Sequence, residues 1–207
     1  MTTPNSRNVY RFVFVPLLSL ACVLSLSLTT AGAQTAERAV FQASKLVTVK
    51  EQAPVKGAAT LLRRANSLEG SFHSSELQPN SAYTLWWMIH SHPEKCTNKP
   101  FCHTADLFNP ATGTSVFYAG ALISSGNGQG NASFTLQSGA LPAGIGTMDF
   151  KTNVVPGLPA GAGLTAQVKI VAKVHGPVDA SKADVQLGTY DGANPASFEE
   201  QFAVFVP

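Results

Sequence analysis

Charge is scarce in this chain: Lys and Arg number 14 and Asp and Glu 12 among 207 residues, and charged residues make up 13% of the sequence. Two of the basic residues, Arg7 and Arg11, lie in an N-terminal segment built like an export signal, so the remainder carries 12 of each sign. A balanced chain offers no electrostatic footprint for a nucleic-acid backbone or an anionic membrane surface, and Arg63-Arg64 is its one locally basic pair. Catalytic signatures are missing too. The sequence has no Gly-x-Ser-x-Gly nucleophile elbow and no His-Glu-x-x-His zinc-protease motif. Its carboxylates Glu94, Asp106, Glu199 and Glu200 are scattered, with no spacing that selects an acid/base pair. These absences argue against an enzyme. At 44% hydrophobic residues the chain is nevertheless too apolar to stay unfolded.

Residues 1–33 have the three parts of a secretory signal: Arg7 and Arg11, an apolar run from Phe12 to Leu28, and the small residues Ala31-Gly32-Ala33. Cleavage after Ala33 would start the exported protein at Gln34. A permanent anchor needs about 20 predominantly apolar residues, and Ser19, Ser25 and Ser27 interrupt the run, so no stable membrane insertion is expected after cleavage. The alternative is a membrane-anchored lipoprotein through Cys22. There, however, position 19 is Ser, and residues 23–28 continue the apolar run. The expected location is the periplasm or the outside of the cell.

Cysteine is rare, with three in the chain. Export would deliver Cys96 and Cys102 to an oxidising compartment, where the short loop between them, containing Pro100, can be closed by a disulfide. A zinc site using Cys96, Cys102 and His103 is the competing reading, but paired structural zinc cysteines sit about two to four residues apart and recur as a second pair.

No stretch holds a helical period for long, whereas several short ones alternate with period two. In Thr165 to Val174, Ala166, Val168, Ile170, Ala172 and Val174 share one face, and Gln167, Lys169 and Lys173 share a face expected to be wet. Tyr83 to His90 is apolar on both faces, which predicts a central strand covered on both sides. Ser115 to Ile123 and Ala132 to Leu136 flank a Gly/Asn-rich turn and predict a hairpin. The phosphate-loop appearance of Gly126, Gly128 and Gly130 fails because no helix follows. The fold class is all-β: an antiparallel β-sandwich with long irregular Gly/Pro-rich connections, above all at 138–164, and one short helix near Asp179 to Leu187. A loosely held N-terminal arm is expected at 34–57, ahead of the sandwich domain at 58–207.

Three of the five histidines fall within His90 to His103, beside both cysteines. If the Tyr83 strand runs on past His90, then Met88, His90 and His92 share a face, and His103 follows the cysteines. Thioether and imidazole together suit copper, and imidazole suits zinc. The plainer reading makes Met88 a packing residue and the histidines strand-end groups. His-x-His on a strand resembles part of the copper ligand set of copper/zinc superoxide dismutases, but the further histidines that set requires are absent, and His175 alone does not supply them.

Ser81-Ala82-Tyr83-Thr84-Leu85-Trp86-Trp87, Pro93-Glu94-x-Cys96, Cys102, Ala105-Asp106-Leu107, Val174-His175-Gly176-Pro177 and Gln201-Phe202-Ala203-Val204 together resemble a family of uncharacterised exported bacterial proteins. The resemblance spans roughly residues 68–207 and implies export and a compact domain; it transfers no catalytic residue. The leading expectation is a non-catalytic exported β-sandwich acting in surface recognition or as a structural module. A periplasmic copper- or zinc-binding protein using Met88, His90, His92 and His103 is the alternative.

Overall fold

The computed structural model describes residues 37–97, 99–141, 145–148, 152 and 154–207; the expected signal at 1–33 and Cys22 lie outside them. The strands follow in chain order: β1 (Val40–Thr48), β2 (Pro54–Arg64), β3 (Ser67–Ser74), β4 (Ser81–His90), β5 (Thr114–Ile123), β6 (Gly130–Gln137), two-residue β7 (Gly139–Ala140), β8 (Thr147–Met148) and β9 (Gly157–Leu158), then β10 (Gln167–Pro177) and β11 (Phe198–Phe205). One short helix, α1 (Ala183–Gly188), falls where the sequence places it. No described helix is long and apolar enough to cross a membrane.

Nine strands form one antiparallel sheet in the order β6-β3-β2-β1-β11-β10-β4-β5-β8. The fold is all-β, and the sheet must curl. Seven strand spacings separate β6 from β5 in that order, roughly 34 Å if the sheet were flat. Residues 124–129 join the two strands directly, and a linker of that length spans roughly 25 Å at most. Curling brings the ends together and makes the two packed layers two halves of one sheet.

The β5–β6 turn forms as expected, with the Ser125 amide donating to the Gln129 carbonyl at 2.8 Å and Gly128 at φ +77°. The strands beyond it do not make the expected hairpin: β5 pairs with β4, and β6 pairs with β3. Each strand has a better-matched partner elsewhere. Phe134 of β6 faces Gly70 of β3 in register, and its ring crosses Trp87 edge to face at 4.9 Å. A Cβ at Gly70 would meet both rings, so the residue is a groove for them.

All ten residues of β4 are buried. Tyr83, Leu85, Trp87 and Ile89 fill the interior of the curl, and Trp86 and Met88 pack outward against Leu107, Val171 and Phe202. This bears out the two-faced reading of the strand. Its neighbour β10 departs from expectation. Gln167, Lys169 and Lys173 are buried instead of wet, because Phe101, Phe202 and Tyr190 cover that face.

The expected arm is also corrected. Residues 40–48 are β1, paired on one side with β2 and on the other with β11 in the middle of the sheet, and Leu46 is wholly buried. Arg63, of the one locally basic pair in the sequence, is 1% exposed. Its guanidinium donates to the carbonyls of Gly163 (3.2 Å), Ala166 (2.7 Å) and Phe205 (2.9 Å) and to Gln42 Oε1. One side chain thereby fastens β2 to the entry of β10 and the exit of β11.

Candidate functional site

The chemically suggestive residues gather where β4 ends. Pro93 begins a short 3-10 turn (Pro93–Lys95) that takes the chain off the sheet. The chain returns through a second turn, Thr104–Phe108, before β5. Asp106 organises this excursion. Its carboxylate, 1% exposed, accepts from the amides of Thr97 and His103, both at 2.8 Å, and from the Thr97 hydroxyl at 2.7 Å. Cys96 and Cys102 are disulfide-bonded with their Cα atoms 5.2 Å apart, and the Cys102 amide donates to Gln167 Oε1 at 2.9 Å, which seats the closed loop on β10.

In the chain-entropy picture a loop this short gains about 2 kcal/mol from its disulfide. Reduction is therefore expected to cost about that much and to accelerate amide exchange at residues 96–102 ahead of the sheet. Denaturant titration and hydrogen exchange with and without a dithiol check this; exchange rising first in β4 or β10 would contradict it.

His90 ends β4 beneath this loop, with no exposed surface. Its Nδ1 lies 2.7 Å from Thr114 Oγ1, and its Nε2 has no partner among the described residues. Burial, assisted by the nearby positive charge of Lys169, pulls the imidazole pKa down to about 4 and keeps the ring neutral. Met88, two residues earlier on the same face, borders a cavity of about 120 Å³ together with Phe101, His103, Lys169, Glu199 and Phe202. His103 is exposed and stacks on Phe101, with ring centroids 4.8 Å apart. His92 is exposed, outside that cavity, 3.7 Å from Glu94.

The structure thus divides the expected metal set. Met88 and His103 border the cavity, His90 lies under the disulfide, and His92 stands apart. Among the described residues one group of His, Cys, Asp or Glu has three ligand atoms within 4.8 Å of one another: His90, Cys96 and Cys102. Neither His92 nor His103 belongs to it.

Lys169 is the residue that sequence reasoning missed. It stands opposite Met88 in the β4–β10 ladder, and its Nζ lies 5.9 Å from the Phe101 centroid and 6.0 Å from that of Phe202. The ammonium makes no hydrogen bond and no direct ion pair among the described residues. Burial lowers its pKa, with Glu199 and Asp106 opposing the shift. At the other outward lysine, Lys173, the ammonium is served by the Tyr190 ring at 3.5 Å and Asp191 at 3.6 Å.

The sequence matches no protein-family profile. No curated protein matches it either. Among solved structures the chain is similar to a mutant of an SOD-like protein from Bacillus subtilis, at 13% identity and a TM-score of 0.36 over 81% of this chain and 100% of that one.

Proposed function

We propose that the protein is an exported, non-catalytic recognition module that engages a small carboxylate-bearing group at Lys169. The observation that carries this reading is the ammonium of a largely buried lysine, without a hydrogen-bonded partner among the described residues, at a cavity of about 120 Å³ lined by two phenyl rings. Burial strips part of the water from this cation, so an anion that reaches it through the cavity is met at a reduced desolvation cost, and the phenyl rings suit the apolar stem of a short carboxylate. The disulfide supports export, since such bonds persist in oxidising compartments. The neutral charge balance and the scattered carboxylates support recognition in preference to catalysis.

Acetate or propionate titrated into the protein is expected to shift the NMR signals of Lys169, Phe101 and Phe202. Lys169→Met should abolish the shifts while raising stability by about 1 kcal/mol or more, because it replaces a poorly partnered buried charge with an apolar stem of similar length. Glu199→Gln should strengthen binding by removing a negative charge at the cavity. Shifts that persist in Lys169→Met, or a Lys169→Met protein that is markedly less stable, would sink the assignment.

A further inference from the structure

We propose that His90, Cys96 and Cys102 form a monovalent copper site that the disulfide closes and a dithiol reductant opens. A ring nitrogen of His90 and both sulfurs already lie within 4.8 Å of one another, and all three residues are buried. A metal holding sulfur and nitrogen at roughly 2.0 to 2.3 Å needs its ligand atoms roughly 3.5 to 4 Å apart, so once the sulfur–sulfur bond is broken the two sulfurs must swing apart by side-chain rotation, with His90 already beside them.

Proton accounting shows which nitrogen is ready. Thr112 Oγ1 has one hydrogen, and it goes to a carbonyl, Asn109 at 2.7 Å or Asp106 at 3.1 Å. In the 2.6 Å contact between Thr112 and Thr114, Thr114 must then be the donor. With its own hydrogen spent, Thr114 Oγ1 accepts from His90 Nδ1–H. Nε2 is left with a bare lone pair in the interior and no donor to meet it among the described residues, which is the state in which imidazole binds metals, its other nitrogen fixed by a neighbour.

Three ligands, two of them soft thiolates, select monovalent copper over zinc, which asks for a fourth. Asp106, the carboxylate whose charge reaches His90, is already taken up by Thr97 and His103. The steps balance. Two electrons and two protons from the dithiol convert the disulfide into two thiols, the reductant leaving as its own disulfide. Copper entry then releases one proton from each thiol and leaves a complex of net charge minus one. The positive charge of Lys169, felt at His90, offsets that charge. This site does not require carboxylate binding in the neighbouring cavity, since its ligands are the sulfurs and His90; the two share only the charge of Lys169, so a bound carboxylate is expected to weaken copper binding without abolishing it.

The test is anaerobic titration of the dithiothreitol-reduced protein, freed of reductant, with Cu(I) held by bicinchoninate. One equivalent is expected to transfer, with ultraviolet thiolate-to-copper absorption and a rise in melting temperature, while the oxidised protein takes none. His90→Gln should weaken binding by at least about tenfold, since losing a ligand costs more than losing a group behind it, and circular dichroism would confirm that this variant and the reduced wild type stay folded. Equal binding by the oxidised protein, equal binding by His90→Gln, preference for zinc, or loss of the fold on reduction would each overturn the proposal.

Discussion

Replacing Arg63 by Leu is expected to lower stability by about 3 to 5 kcal/mol, the largest loss foreseen for a single polar residue of this protein. The guanidinium is 1% exposed and donates to three main-chain carbonyls and one amide oxygen. Burial pulls its pKa down to about 10, which leaves it charged at neutral pH. Leucine would fill part of the space and satisfy none of the acceptors, and each unmet buried acceptor costs about 1 to 3 kcal/mol. Arg63→Lys keeps the charge but not the planar fork, and should lose about 2 kcal/mol. Urea midpoints measure both. A loss below about 1 kcal/mol for the leucine variant would mean that water serves these carbonyls as well as arginine does.

Mild acid is the second large lever. His90 titrates near its ordinary 6.5 when unfolded and at about 4 when folded. Between those values the unfolded chain binds more protons, so stability falls as pH falls through the window and levels off below it. The full excursion is on the order of 3 kcal/mol. His175, whose pKa burial also lowers, adds in the same direction. Chemical denaturation at neutral pH and at pH values through the window, for wild type and His90→Gln, isolates the His90 share. The variant should have a shallower dependence; an identical slope would show that His90 is not the group responsible.

Legibility in the sequence followed the range of the interaction. The two-faced strand at Tyr83 to His90, the short helix and the Cys96–Cys102 bond were readable because each is decided within a few residues. Pairing was not. The turn at 124–129 suggested a hairpin, yet Phe134 had its fit against Gly70 and Trp87, far away in the chain. Lys169 looked solvated because period-two alternation reports sides of a strand and not what covers them; its cover comes from Phe101 and Phe202. Had the pairing of β10 with β4 been known, a lysine opposite Met88 would have been recognisable as buried, since β4 already read as covered on both faces. Arg63 escaped for the same reason, its acceptors lying about a hundred residues away or more for three of its four bonds.

β11, the last strand described, sits between β1 and β10 and joins the two halves of the sheet. A chain emerging N-terminus first can pair β1, β2 and β3 early, but its sheet stays open along the edges of β1 and β10 until residues 198–205 arrive. Closure of the sheet therefore waits for β11 however early the other strands pair, and such non-local closure is intrinsically slow.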